Sequence, residues 1–185
     1  MIMRSAAIHF IARLFLTAAA IVALGHAAES AQVHPDAAQV ERMIALQDLL
    51  FRDNFTAAES LATTFMTDYP DHALGYLFKA ITLVSAMYDA EESLDVDRFH
   101  ALLDTAESLA TWAVKSAGGT ERAWAFLALG HVESYRAVWE VRFGSKITAA
   151  RKARAGAAHY RRGLAADSTL GDLYFGLGLY HYWKS

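Results

Sequence analysis

The stretch Tyr160-Arg161-Arg162-Gly163-Leu164-Ala165-Ala166-Asp167-Ser168-Thr169-Leu170-Gly171-Asp172-Leu173-Tyr174-Phe175-Gly176-Leu177-Gly178-Leu179-Tyr180-His181-Tyr182-Trp183 decides the fold. It reads as one helix end, a polar break at Asp167-Ser168-Thr169, and a second helix. Gly156, Tyr160, Gly163 and Leu164 share a face of the first helix. In the second, Tyr174, Leu177 and Gly178 fall at an aromatic-x-x-Leu-Gly spacing. Small residues at such positions let two helices approach closely, and large ones fill the gaps between them.

The same spacing recurs upstream as Phe126, Leu129 and Gly130, in a helix running from a Thr120 cap to Val141 or Arg142 and broken by Gly144-Ser145. Ile147 to Ala166 is the helix between the two. Further back, Asp97 to Ser116 carries Ala106, Ala110, Ala113 and Val114 on its close-packing face and ends where Gly118-Gly119 offers a glycine cap. Ala73 to Met87 places Tyr76, Ala80 and Leu83 in the aromatic, small and large positions. Before it, Ala37 to Arg52 has Val40, Ile44, Leu46, Leu49 and Leu50 near 3.6-residue spacing, and Phe55 to Tyr69 has Ala58, Leu61, Ala62, Phe65 and Met66. The acidic stretch Asp89, Glu91, Glu92, Asp95, Asp97 lacks the central glycine and terminal glutamate of a calcium loop and reads as a solvated, helix-capping connection.

The interval from Leu46 to Ala80 is 34 residues, whereas Ala80 to Gly130 is 50 and Gly130 to Gly178 is 48. With Phe55-x-x-Ala58 and the closing Pro70, the chain from Ala37 onward resembles exported bacterial tetratricopeptide repeat (TPR) proteins with divergent, expanded repeats. The resemblance implies an all-α, TPR-like right-handed α-solenoid of antiparallel helical hairpins, about seven helices in all. It also implies a concave groove lined by the first helix of each hairpin, in which such proteins bind peptides or protein segments. It supplies no catalytic residues.

Composition agrees with a helical chain: 185 residues, 55% hydrophobic, with only two prolines and no cysteine. The lack of cysteine excludes disulfides, thiolate metal sites and cysteine nucleophiles. From Ala28 to Arg142 there are 8 Lys/Arg against 18 Asp/Glu, a net of −10, and from Phe143 to Ser185 there are 7 against 2, a net of +5. Such asymmetry gives a two-signed surface. Residues 1–27 read as a secretory signal: Arg4 at the start, an apolar run Leu14–Leu24, and Gly25-His26-Ala27 as a small-x-small cleavage site. That apolar run is about half the ~20 residues needed to span a bilayer. An exported, periplasmic protein is expected, with an uncleaved inner-membrane anchor as the alternative. Residues 28–36 form a linker and 37–185 the helical domain.

Protein–protein scaffolding in the cell envelope is the expected function, non-enzymatic and without a cofactor. Expected groove residues are Tyr76, His131, Glu133, Arg136, Tyr174 and His181. Tyr135, Trp139 and Arg142 also share a helix face, either as core with the arginine reaching out or as a grip for a carboxylate. The alternative is an exported hydrolase or metal-binding protein using His131, Glu133, His159 and His181, although no helix carries a paired zinc-ligand spacing. Arg151, Arg154 and Arg161, joined by Lys152 and Arg162, form a basic stripe read as solvated surface or acidic-partner dock rather than nucleic-acid site. Leu173, Phe175, Leu177, Leu179, Tyr180, Tyr182 and Trp183 make the last helix apolar nearly all round. Either more chain follows and covers it, or it self-associates.

Overall fold

The computed structural model describes residues 33–184, which belong to a compact unit spanning Ala31–Ser185. The leader, its cleavage site and most of the linker lie outside the described residues. Seven α-helices follow one another: α1 Ala37–Phe51, α2 Phe55–Asp68, α3 Ala73–Ala90, α4 Val96–Ser116, α5 Gly119–Phe143, α6 Lys146–Ala166 and α7 Gly171–Lys184. No strand occurs among the described residues. Expected and observed helices correspond one to one. Among the described residues no helix is long and apolar enough to cross a membrane.

Local chemistry sets the boundaries. Asp36 and Gln39 close a capping box at the start of α1, each side chain accepting from the other's backbone N–H. Asn54 caps α2 and Ser145 caps α6 in the usual way, the side-chain oxygen taking a backbone N–H. Several boundaries differ from the sequence reading, α3 for one running to Ala90 rather than Met87. Thr120 lies inside α5, its hydroxyl donating to Asp167 at 2.7 Å, while Gly118 takes the N-cap position. The end of α4 is therefore not a glycine cap, since Ala117 stops it in extended conformation and Gly118 opens the next helix. The acidic stretch caps both of its helices by position, Glu91 closing α3 through its backbone N–H and Asp95 opening α4, but no carboxylate caps α4. Asp95 makes no cap hydrogen bond and turns to Arg98 at 3.3 Å instead.

Each helix packs against its sequence neighbours, and α1–α3, α3–α5 and α5–α7 also meet. The even helices α2, α4 and α6 do not pack backbone to backbone, and α2 and α4 meet only through side chains, Arg98 donating to Glu59 at 2.8 Å. The result is a repeat-like, two-row arrangement in which the odd helices form the continuous row. One core cluster joins α3, α4 and α5 through Leu77, Val84, Met87, Phe99, Leu103 and Val132, all nearly inaccessible to solvent. Alanines make the helix approaches close: Ala106, Ala110 and Ala113 of α4 and Ala125 and Ala128 of α5 are fully buried.

A second cluster ties α5, α6 and α7 around Tyr160 and Leu173. The Tyr160 ring is clasped between Gly130 of α5 and Gly176 of α7. A Cβ on Gly130 would stand 2.8 Å from its Cζ, and one on Gly176 2.7 Å from its Cε2. Gly163 of α6 leaves room for Leu173, and Gly156 lies against the carbonyl of Gly130. Gly178, at the repeat spacing, is exposed with open space beside it. The close-approach glycine of α7 is Gly176, two residues earlier, because Tyr160 rather than a residue of a following helix fills the gap.

Candidate functional site

On the row of odd helices lies a cleft of about 500 Å³, lined by Leu50, Asp53, Phe55, Val84, Ser85, Tyr88, Asp89, Tyr135 and Val138. The end of α1, the start of α2, the last turns of α3 and the middle of α5 converge there. Asp53 turns the chain with a left-handed φ of 54°, which brings Phe55 round to the mouth. The Tyr88 hydroxyl donates to the carbonyl of Val138 at 2.6 Å and pins α3 to α5 along one edge. Its phenol titrates above the usual tyrosine range because burial disfavours the phenolate, against the pull of Arg142. Asp53 and Asp89 add carboxylates and Ser85 a hydroxyl to a lining whose other side chains are apolar or aromatic.

None of the six groove residues expected from sequence lines this cleft. Tyr76 donates its hydroxyl to the carbonyl of Pro70 at 2.9 Å. Glu133 and Arg136 are brought together at 2.7 Å, and Arg136 also reaches Asp104 and Glu107 of α4 at 2.5 and 2.7 Å. Lys152 of α6 closes on Glu133 at 3.3 Å. Burial works against the Arg136 charge, but hydrogen bonds to Glu107 and Glu133 outweigh it and hold its pKa above the ordinary value. This network spends the arginine's donors inside the fold, between α4, α5 and α6. Tyr174 and His181 are exposed on α7, the His181 ring resting edge-on against Tyr180.

His131 hydrogen-bonds through Nδ1 to the Tyr160 hydroxyl at 3.2 Å, and that hydroxyl also meets Ser134 Oγ at 3.0 Å. Burial lowers the His131 pKa to about 4, with Asp172 opposing, and raises that of Tyr160 to about 12. Both groups are thus neutral near pH 7 and serve as a packed polar seam. His159 stands apart on α6, its Nδ1 buried without a hydrogen-bond partner and its pKa lowered by burial and by Arg162. Among the described residues no three His, Asp or Glu side chains are placed to hold a metal ion. Tyr135 and Trp139 pack against the core, while Arg142 reaches out to Glu91 at 3.2 Å.

The cleft residues were readable only in part. Leu77, Ile81, Val84 and Tyr88 form an i, i+4, i+7, i+11 stripe that carries α3 past Met87, and following it would have brought Tyr88 into the helix. The meeting of Leu50, Phe55 and Val138 depends on tertiary packing and has no local sequence signal. Comparison with protein-family models, with curated proteins and with solved structures found no match.

Proposed function

We propose that the chain is a non-enzymatic protein-binding scaffold of the cell envelope, built as a TPR-like right-handed solenoid, and that an extended segment of a partner protein lies in the cleft on the odd-helix row. The observation that carries this reading is the cleft itself, which takes apolar and polar side chains from α1, the start of α2, α3 and α5 and so offers one mixed surface across successive helices. Its volume falls in the range of small ligand pockets. Each large side chain buried there contributes roughly 1.5–3 kcal/mol before entropic costs. Asp53 and Asp89 favour a segment with lysine or arginine beside its apolar anchors, since opposite charge at a rim steers and orients encounter. Export to the periplasm is supported by the leader sequence.

Photocrosslinking tests it. A crosslinking residue at Val138 should capture discrete partners in the host's envelope, and one at Ile147 on α6 should not. The companion variant Ser85→Trp fills the trough and should abolish the Val138 adducts. Equal capture from both positions, or adducts that survive Ser85→Trp, would remove the cleft as the site.

A further inference from the structure

We infer that the cleft receives a linear polyamine, its ammonium groups taken by Asp53 and Asp89 and its methylene runs laid along Phe55, Tyr88 and Val138. The inference does not rest on partner binding. It goes beyond that reading by naming a small cationic ligand that would compete with a partner segment for the same cleft. What singles the cleft out is its unspent acceptors. Asp53 and Asp89 are exposed and come from separate elements, the α1–α2 turn and the last turn of α3. Among the described residues neither side chain forms an ion pair or a hydrogen bond, and neither do the hydroxyls of Ser85 and Tyr135. The Tyr88 hydroxyl, by contrast, is already spent on the carbonyl of Val138. No lysine, arginine or histidine lines the cleft. Two arginines close by in sequence or in field are engaged elsewhere, Arg52 with Asp48 at 3.1 Å and Arg142 with Glu91 at 3.2 Å.

The rest of the lining is apolar or aromatic, and that decides the kind of cation. A bare divalent ion takes six or more oxygen ligands and gains nothing from an apolar wall. Among the described residues no three acidic or histidine side chains are placed to hold one. A polyamine suits the site better. Its ammonium groups donate and cannot accept, so they match acceptors that lack partners. The methylene runs between them can lose water against Leu50 and Val84 at no polar cost, and the faces of Phe55 and Tyr88 attract the positive charge. A volume of about 500 Å³ lies in the range that small ligands fill. A lysine side chain would bring a single head group to this surface, whereas a polyamine brings one for each carboxylate.

Calorimetric titration of spermidine into the full-length chain at low salt should show a saturable site with a dissociation constant below about 1 mM, weakened by added salt. Asp53→Asn and Asp89→Asn each remove a head-group contact and should weaken binding roughly tenfold. Asparagine tolerates the left-handed turn at position 53. Ser85→Trp fills the cleft while keeping both carboxylates and should abolish binding. Circular dichroism checks that each variant folds, and if Ser85→Trp does not, the two exposed asparagine variants decide. Full affinity in both asparagine variants, or displacement of spermidine by magnesium at matched charge, marks diffuse attraction to an acidic surface and overturns the inference. So does a single-lysine peptide that binds where spermidine does not, which would return the carboxylates to a protein segment. Crosslinking at Val138 separates the two readings. Adducts without spermidine binding remove only the polyamine, and spermidine binding without adducts removes only the protein partner.

Discussion

Replacing Gly130 by alanine tests the clasp around Tyr160. Its added methyl would run into the Cδ1–Cε1 edge of the Tyr160 ring, which cannot retreat because Gly176 of α7 lies close against the opposite edge. Overpacking of this kind costs about 1–3 kcal/mol. Displacing the ring also breaks the hydroxyl's hydrogen bonds to Ser134 and His131, each worth about 1 kcal/mol. Against this, alanine stabilises a helix interior by about 1 kcal/mol relative to glycine. The net is a loss of roughly 2–4 kcal/mol, a melting temperature lower by roughly 4–16 °C for a domain of this size. Gly178→Ala supplies the contrast. It occupies the equivalent repeat position in a helix but meets nothing within 4 Å, so only the propensity term acts and stability rises by up to about 1 kcal/mol. Urea titration of the two variants, each also made in a Tyr160→Leu background, measures the coupling directly. If Gly130→Ala is as stable as the parent, or costs the same without the ring, the clasp is not what holds α5, α6 and α7 together.

Three further outcomes are expected. Burial lowers the His72 pKa to about 4, and its Nδ1 accepts the Leu74 N–H while Nε2 is buried without a partner. The unfolded chain binds this proton below about pH 6.5 and the folded one only near pH 4, so stability falls between those values, by up to about 3 kcal/mol. His72→Asn keeps a capping acceptor and should flatten this part of the pH–stability curve, and an unchanged slope would reassign the effect to another group. Arg136→Ala strands the buried Glu133 with Lys152 alone and should cost about 2–3 kcal/mol in thermal denaturation, the exposed Asp104 and Glu107 contributing little; a loss below half a unit would show the network to be decorative. Leu173→Ala empties a fully buried site and should cost about 2–5 kcal/mol. Hydrogen exchange should then show α7 opening ahead of α3 and α4, and uniform opening would argue against a separate cluster.

Helices and their order were legible because alanine-rich segments with 3.6-residue apolar spacing, cut by Pro70, Gly144 and Ser168, leave little room for another reading. Tertiary partners were less so. Gly176 and Gly178 are indistinguishable by composition, and the repeat spacing favours Gly178. Which one meets a neighbour depends on how far α6 slides along α7, and the position of Tyr160 settles that in space. Arg136 illustrates the same limit. A cationic side chain beside aromatics looks available for a ligand, yet the carboxylates that occupy it are 29 and 32 residues away on α4 and three away on its own helix. The cleft, too, is assembled from residues that are unremarkable in their own segments. Its members come from α1, the α1–α2 turn, the start of α2, α3 and α5, and meet only through tertiary packing.

Glu121, in the first turn of α5, accepts the backbone N–H of Val33 at 2.6 Å and of His34 at 3.1 Å, spans of 88 and 87 residues. Val33 is fully buried there, and the His34 ring stacks on Trp124 at 5.6 Å. A linear stack of helices is ordinarily a one-dimensional object that can fray from either end, one unit at a time. This strap makes the N-terminal side an exception, because α1 to α4 all lie inside the loop that it closes. Unzipping from that side must first release the strap, and refolding must find it again across nearly half of the chain, which places its formation late and adds a long-range step to otherwise local folding. The strapped helices therefore differ kinetically from α7, which lies outside the loop. Under tension or protease, α7 should open ahead of α1 and α2.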